Sequence, residues 1–294
     1  MILGGSPKEA YRDVEYLEFD DDGNHPPLYK PGDLPRNMSG LVAAFVDGHV
    51  VACGGYETAE CFFLNSQFGQ WYDTAPMDRQ RYGAVGFVVN DDLWFVLGGK
   101  DRRAEGKPVL NTSVVYNAGN FFRGDDLPYP AFFPCATKLN ETHVFFAGGN
   151  DGVATRRDAY ILDSGSWTWT RLPDMRRERY RVSCGKAGNK IYVVGGDPNQ
   201  DSSEVLDLDT LEWSEGPGVP TASGKFWASP QPYQMADTFR LVGGYDGDTW
   251  LDTVFELDPE KEVWIERPER LEQIRDSNGV VHVPEESLGG LKYE

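Results

Sequence analysis

Arginine is the residue type in this chain best suited to do chemistry. It comes in tight groups: Arg79 and Arg81; Arg102 and Arg103; Arg156 and Arg157; and Arg176, Arg177, Arg179 and Arg181. A guanidinium is planar and permanently charged, and its fork of N–H donors matches a carboxylate or phosphate in bidentate fashion. The groups stand in an acidic background, since 47 Asp and Glu against 28 Lys and Arg give a formal net charge of −19. That balance disfavours unspecific attraction to nucleic acid or anionic membranes, so clustered cations imply a polarised molecule. Other chemistries lack their residues. The four histidines, His25, His49, His143 and His282, are dispersed without ligand spacing. There is no nucleophile elbow, phosphate loop or zinc-type cysteine pair. No metal and no cofactor is expected.

The elements that must position these arginines are punctuated by six Gly-Gly pairs. Their second glycines, at 5, 55, 99, 149, 196 and 244, stand 50, 44, 50, 47 and 48 residues apart, a period expected of propeller blades. Each pair closes a short apolar, β-branched or aromatic run such as Leu93-Trp94-Phe95-Val96-Leu97 or Ile191-Tyr192-Val193-Val194. Such runs, bounded by turn residues, predict buried strands. A turn before each run (Asp47-Gly48, Gly188-Asn189) and a small-residue strand upstream of it complete a hairpin. Beyond the glycines a second hairpin has its own signature, an Asn or Asp followed six residues later by Trp: Asn65 and Trp71, Asp163 and Trp169, Asp207 and Trp213, Asp258 and Trp264. The turn side chain can bond its local backbone, and the indole fills the space between blades. Four strands per repeat follow.

The chain resembles the kelch-repeat β-propellers, on the diglycine that ends the second strand, the aromatic of the third and the Trp of the fourth. Two copies depart from the pattern: Pro26 stands where the first Trp is expected, and Phe121-Phe122 replaces the third slightly out of register. The fold class expected is all-β, a six-bladed β-propeller of four-stranded antiparallel blades, its ring closed by pairing C-terminal and N-terminal segments. Gly279 to Pro284 has the composition of the strand that the first blade lacks, and closure removes the open edges of a linear array. A single domain over 1–294 is expected, with a composite first blade of 1–32 plus 271–290 and further blades at 33–77, 78–127, 128–173, 174–218 and 219–268. A seventh pair, Gly289-Gly290, makes Ser287-Leu288 compete with Met1-Ile2-Leu3 for the second strand of that blade.

In a ring of the kelch type, the loop entering each innermost strand and the loop after each diglycine open on the same rim, which gathers the arginine groups there. The resemblance implies that Arg81 and Arg181 serve equally well as internal framework, while the post-diglycine pairs in polar loops are the better ligand groups. The partner-binding residues expected are Arg79, Arg81, Tyr82, Arg102, Arg103, Arg156, Arg157, Arg177, Arg179, Tyr180, Trp227 and Trp250, with Phe132 and Phe133 as further anchors. Family resemblance also implies a mode: intracellular kelch adaptors of ubiquitin ligases bind acidic peptides on this face. That role requires a BTB-type domain supplied from outside this sequence. The function expected is non-enzymatic binding of an acidic or phosphorylated peptide by a monomer, without nucleic acid or membrane. The alternative is a small-anion or sugar-binding propeller, including an enzyme of the mutarotase type, using the central channel. The residues of copper radical oxidases and of iron-dependent specifier-type kelch proteins are not found at their required spacing.

Cys53 ends a second strand and Cys61 falls in the third, which puts the pair within reach of one another across adjacent antiparallel strands; Cys135 and Cys184 occupy similar inner-strand positions of consecutive blades. Both free buried thiols and a bridge fit this pattern. Asn37-Met38-Ser39, Asn111-Thr112-Ser113 and Asn140-Glu141-Thr142 are N-glycosylation sequons. No signal peptide or membrane-spanning window is visible. A complete chain is expected in the cytoplasm, and one truncated at its N-terminus outside the cell.

Overall fold

The computed structural model describes residues 1–5, 12–15, 31–65, 69–90, 92–200, 202–222, 233–235, 238–276, 278–284 and 287, and no α-helix occurs among them. The chain opens with β1 (Ile2–Leu3) and β2 (Val14–Glu15), which belong to blade I. Blade II holds β3 (Val42–Val46), β4 (His49–Cys53), β5 (Cys61–Asn65) and β6 (Gln70–Thr74), and blade III holds β7 (Val85–Asn90), β8 (Leu93–Leu97), β9 (Ser113–Asn117) and β10 (Asn120–Arg123). Blade IV is β11 (Cys135–Lys138), β12 (His143–Ala147), β13 (Ala159–Asp163) and β14 (Thr168–Arg171); blade V is β15 (Ser183–Ala187), β16 (Lys190–Val194), β17 (Ser203–Asp207) and β18 (Trp213–Glu215). Blade VI is β19 (Tyr233–Met235), β20 (Thr238–Val242), β21 (Thr253–Asp258) and β22 (Val263–Arg270), and β23 (Gly279–Val280) returns to blade I.

Blades II to VI are four-stranded antiparallel sheets, and the described residues of blade I form three strands in the order β2-β1-β23. Ile2 stands opposite Val280 and Leu3 opposite Gly279, so C-terminal and N-terminal segments close the ring. Ile2-Leu3 thus holds the second-strand position of blade I; its competitor Leu288 and the variant copy at Pro26 lie outside the described residues.

No blade owns a core. The buried side chains fall into six clusters, one at each junction between blades. Strand alternation makes this possible, because successive residues face opposite neighbours. In β3, Val42, Ala44 and Val46 pack toward blade III, whereas Ala43 packs toward blade I. The fourth-strand tryptophans seal these junctions. Trp71, Trp213 and Trp264 also donate their indole N–H to Gly32 O (2.8 Å), Pro173 O (2.8 Å) and Pro217 O (3.2 Å), pinning the linkers between blades. In blade III, Phe121 packs at the junction where the other copies place Trp.

Both cysteine pairs are bridged. Cys53 and Cys61 face each other across β4 and β5, and Cys135–Cys184 links the first strands of blades IV and V.

The aspartates that begin the outer turns cap them. Asp207 Oδ1 accepts from the backbone N–H of Asp209 (2.9 Å) and Thr210 (3.0 Å), and Asp258 Oδ1 does the same for Glu260 and Lys261. The Thr210 and Asp209 N–H groups hold Asp207 below the ordinary carboxylate value of 3.8. The Ser166 hydroxyl and Gly165 N–H lower Asp163, and the Lys261 side chain and N–H lower Asp258. A carboxylate depressed by folding contributes stability above its unfolded value and loses it as pH falls through the folded one. The expected result is an acid limb in the melting temperature below about pH 4 that a D163N/D207N/D258N variant flattens, because Asn keeps the acceptor but does not titrate. Identical limbs in a pH series of thermal melts would refute the assignment.

Candidate functional site: the loop rim

The rim is built from two loop sets, and each position in the entering loop has a distinct task. In the first position stand Met38, Arg81, Ala131, Arg179 and Arg275. The carbonyls of Met38, Ala131, Arg179 and Arg275 accept the N–H of the second diglycine residue of the preceding blade, from Gly5, Gly99, Gly149 and Gly244. In these four pairs the first glycine must be glycine for this bond to form. A Cβ on Gly148 would stand 2.6 Å from Arg179 O, and on Gly4, Gly98 and Gly243 it would meet the carbonyl oxygens of Met38, Ala131 and Arg275 at least as closely.

In blades III, V and I, the first-position residue is an arginine whose side chain turns inward. Arg81, Arg179 and Arg275 are each 0% exposed. Each donates to the carbonyl of the first diglycine residue in its own blade, Gly98 (2.9 Å), Gly195 (2.7 Å) and Gly4 (2.9 Å). Arg81 also bonds Thr112 O and Oγ1 and Asp78. Arg179 also bonds Asn199 O, Ser202 O and Oγ, and the buried carboxylate of Glu204 at 3.1 Å. Glu204 in turn accepts the backbone N–H of Arg176 and Arg177. Blade I repeats the arrangement with Arg275, Glu15 and the N–H groups of Glu272 and Gln273. Arg81 and Arg179, expected on the binding surface, are therefore internal supports: their forks satisfy loop carbonyls that would otherwise be buried without donors.

The second position carries aromatic rings in blades III, IV and V. Tyr82, Phe132 and Tyr180 follow one another with ring centroids 6.0 and 6.1 Å apart. Their backbones pair with Lys100, Asn150 and Asp197, the residues that follow the diglycines. Burial raises the Tyr82 hydroxyl above its ordinary value, and Arg181 and Asp276 act on it from other blades. Burial likewise raises Tyr180, with Asp197 adding to the shift. The third position has positive φ in blades II to V, at Gly40 (63°), Gly83 (65°), Phe133 (51°) and Arg181 (56°). It links blade to blade, with Gly83 N donating to Gly40 O, Phe133 N to Gly83 O and Arg181 N to Phe133 O.

Several of the remaining rim arginines are neutralised within the protein. Arg79 pairs with Asp78 at 2.9 Å, Arg177 with Glu215 at 3.2 Å and Arg157 with Asp174 at 3.5 Å. Arg156 is held by Asp151 and Asp158 and lies over Tyr129. Trp250 packs against Tyr245 in blade VI in a tilted pair with ring centroids 5.0 Å apart, and Trp227 lies outside the described residues.

Blade III differs. Its post-diglycine loop, residues 100–112, is longer than its counterparts at 56–60, 150–158, 197–202 and 245–252. Arg102, Arg103 and Lys107 from this loop, with Arg36, Tyr56 and Glu57 from blade II, line an open cleft of about 480 Å³. Arg102 donates to the Tyr56 hydroxyl at 2.9 Å, with its guanidinium 4.3 Å from the Tyr56 ring centroid and 5.8 Å from that of Tyr82. Arg36 pairs with Glu60. Among the described residues, no carboxylate lies within ion-pair distance of Arg102, Arg103 or Lys107. Lys100 extends the cationic run toward the entering loop of blade IV, its Nζ 5.6 Å from the Phe132 centroid. Arg36, Tyr56, Lys100 and Lys107 were not among the residues expected from sequence. The position of Tyr56 and Lys100 immediately after a diglycine, and the length of the Lys107 loop, are the signals that mark them.

Six blades joined by backbone bonds at a common rim, with side chains for contact supplied by loops, define a β-propeller with a loop-built interaction face. Comparison with known proteins gives the family. The Kelch motif profile matches residues 178–220, which span the Arg179–Glu204 support, the Gly195-Gly196 pair and Trp213. The chain is 40% identical over 90 residues to a putative F-box/kelch-repeat protein of Arabidopsis thaliana (28% of this chain, 23% of that protein). It is 31% identical over 136 residues to another F-box/kelch-repeat protein of that plant (45% and 33%), and 25% identical over 147 residues to Kelch domain-containing protein 10 of Rattus norvegicus (45% and 36%). The chain is a kelch-repeat β-propeller. It spans from about a quarter to about half the length of the curated relatives it matches.

Proposed function

We propose that this propeller is a non-enzymatic protein-interaction module whose rim, centred on the cleft between blades II and III, binds an acidic or phosphorylated peptide segment. The observation that carries this reading is a set of cations with no carboxylate partner among the described residues, Arg102, Arg103 and Lys107, gathered beside an exposed tyrosine on a protein of net charge −19. Guanidinium forks supply bidentate bonds to carboxylate or phosphate, Lys107 adds a point charge, and Tyr56 offers an aromatic face that Arg102 already orients. Relatives named for kelch repeats, two of them also for an F-box, are in keeping with a role in assembly. Domains outside this chain would then supply whatever the bound partner is delivered to.

The test is titration of acidic peptides, with and without phosphorylated residues, into the wild-type propeller and an R102A/R103A/K107A variant. Each lost charge-assisted bond is worth about 1.5–3 kcal/mol, so the triple variant is expected to bind at least about tenfold more weakly, with the gap narrowing as salt rises. Equal affinities would refute the cleft as the site. One observation favours a competing site among the entering loops: the Arg181 guanidinium lies 5.1 Å from the Phe133 ring centroid, and that ring stands 5.1 Å from Tyr82. Saturable binding of a sugar acid that R181A abolishes and the triple variant retains would move the function there.

A further inference from the structure

The sequons Asn37-Met38-Ser39, Asn111-Thr112-Ser113 and Asn140-Glu141-Thr142 all present an exposed asparagine, yet their surroundings differ. Ser113 is fully buried and donates its hydroxyl to Asp125 O at 2.7 Å. Asn37 adjoins Arg36 of the cationic cleft, and Asn111 lies in the rim loop of blade III. Asn140 stands in the turn between β11 and β12, at the opposite end of the blade from the diglycines, and Glu141 and Thr142 are exposed with it.

The Asn140 carboxamide is also oriented. Its Oδ1 accepts the backbone N–H of Thr142 at 3.0 Å and of His143 at 2.9 Å, and the Thr142 hydroxyl lies 3.3 Å from the same oxygen. Backbone N–H groups can only donate, so this network fixes which end of the carboxamide is oxygen. The amide nitrogen Nδ2 is left without a partner among the described residues, directed away from a turn that already satisfies the oxygen. A second, independent observation concerns redox state. All four cysteines are paired, one bridge between directly opposed residues of β4 and β5 and the other between adjacent blades. Structural disulfides form and persist in oxidising compartments.

We propose that Asn140 is an N-glycan acceptor and that the propeller matures in an oxidising, glycosylating compartment. In the transfer, Asn140 Nδ2 attacks the anomeric carbon of an oligosaccharide carried on a lipid pyrophosphate. The C–N bond forms as the bond from that carbon to the phosphate oxygen breaks, the displaced lipid pyrophosphate leaves with one amide proton, and nothing is oxidised or reduced. The glycan projects from the face opposite the loop rim and leaves the cleft between blades II and III clear.

The test uses the protein isolated from its native source. Amidase release of N-glycans converts an occupied asparagine to aspartate, which peptide mass mapping locates; alkylation without prior reduction reports free thiols. Asn140 is expected as aspartate after release, with all four cysteines protected. In the full-length product expressed in eukaryotic cells, N140Q and T142A each remove one glycan step of mobility, while T142S retains it; T142A keeps the Asn140 side chain and so separates loss of the acceptor signal from loss of the turn. Recovery of Asn140 unmodified, including the case in which Asn37 or Asn111 alone is occupied, overturns the site. Four cysteines alkylated without reduction overturn the compartment.

Discussion

Replacing Arg179 by Met is expected to destabilise the propeller by about 3–5 kcal/mol, the range for removing one partner of a buried ion pair, and to lower its melting temperature by roughly 10 °C. The substitution conserves much of the apolar stem but removes every donor. Glu204, fully buried, loses its counter-ion, and the carbonyls of Gly195, Asn199 and Ser202 lose their N–H partners together. In some proteins a buried ion pair is replaced by apolar residues without loss. Recovery in an R179M/E204M double variant is expected to be incomplete here, because Glu204 also caps the backbone N–H groups of Arg176 and Arg177. Arg103, exposed and without a carboxylate partner among the described residues, supplies the control: R103M should leave stability unchanged. Urea denaturation of the three variants measures this, and an R179M midpoint close to that of wild type would show that the guanidinium is not a structural support.

Gly148→Ala is expected to cost about 3 kcal/mol, in two parts. Gly148 has φ +67°, a conformation that an L-residue adopts at a cost of roughly 1–2 kcal/mol. Its Cβ would then stand 2.6 Å from the Arg179 carbonyl oxygen, a backbone atom that cannot swing aside. Moving that carbonyl also strains the 2.8 Å bond it receives from Gly149 N, which is one of the ties between blades IV and V. Gly106 separates the two parts. It has φ +73° with nothing within 4 Å of a Cβ built on it, so G106A reports the conformational cost alone. Thermal melts of both variants should place G148A well below G106A; coincident melts would mean that the close approach of the neighbouring loop contributes nothing.

The blade count, the strand order and the closure of the ring were legible because they depend on local and repeated signals. Diglycines mark the ends of second strands, and the apolar runs before them alternate with the pleat. The Asp-to-Trp spacing likewise announced both a turn capped by its own side chain and an indole at a blade junction, as Asp207 and Trp213 display. The rim was less legible because an arginine reads the same whether its fork points inward or outward. Arg79 and Arg81 are two residues apart, yet one is about half exposed and the other fully enclosed. The difference lies in where the carbonyls of Gly98 and Thr112 end up, which the sequence near position 81 does not encode. Charge pairing was equally hidden. Arg156 meets Asp151 and Asp158 within its own loop, whereas the Arg102 and Arg103 loop carries its carboxylates elsewhere, with Asp101 turned to cap the backbone N–H groups of Arg103 and Ala104.

The bonds that run from Arg181 to Phe133, from Phe133 to Gly83 and from Gly83 to Gly40 join four consecutive blades around the channel, each third-position N–H hanging on the carbonyl of the blade before it. The lever arm at each of these hinges is one peptide unit, and on this stretch none can tilt without pulling the next. The stretch is consequently a backbone strap that ties four blades directly to one another, independent of the side chains packed between them.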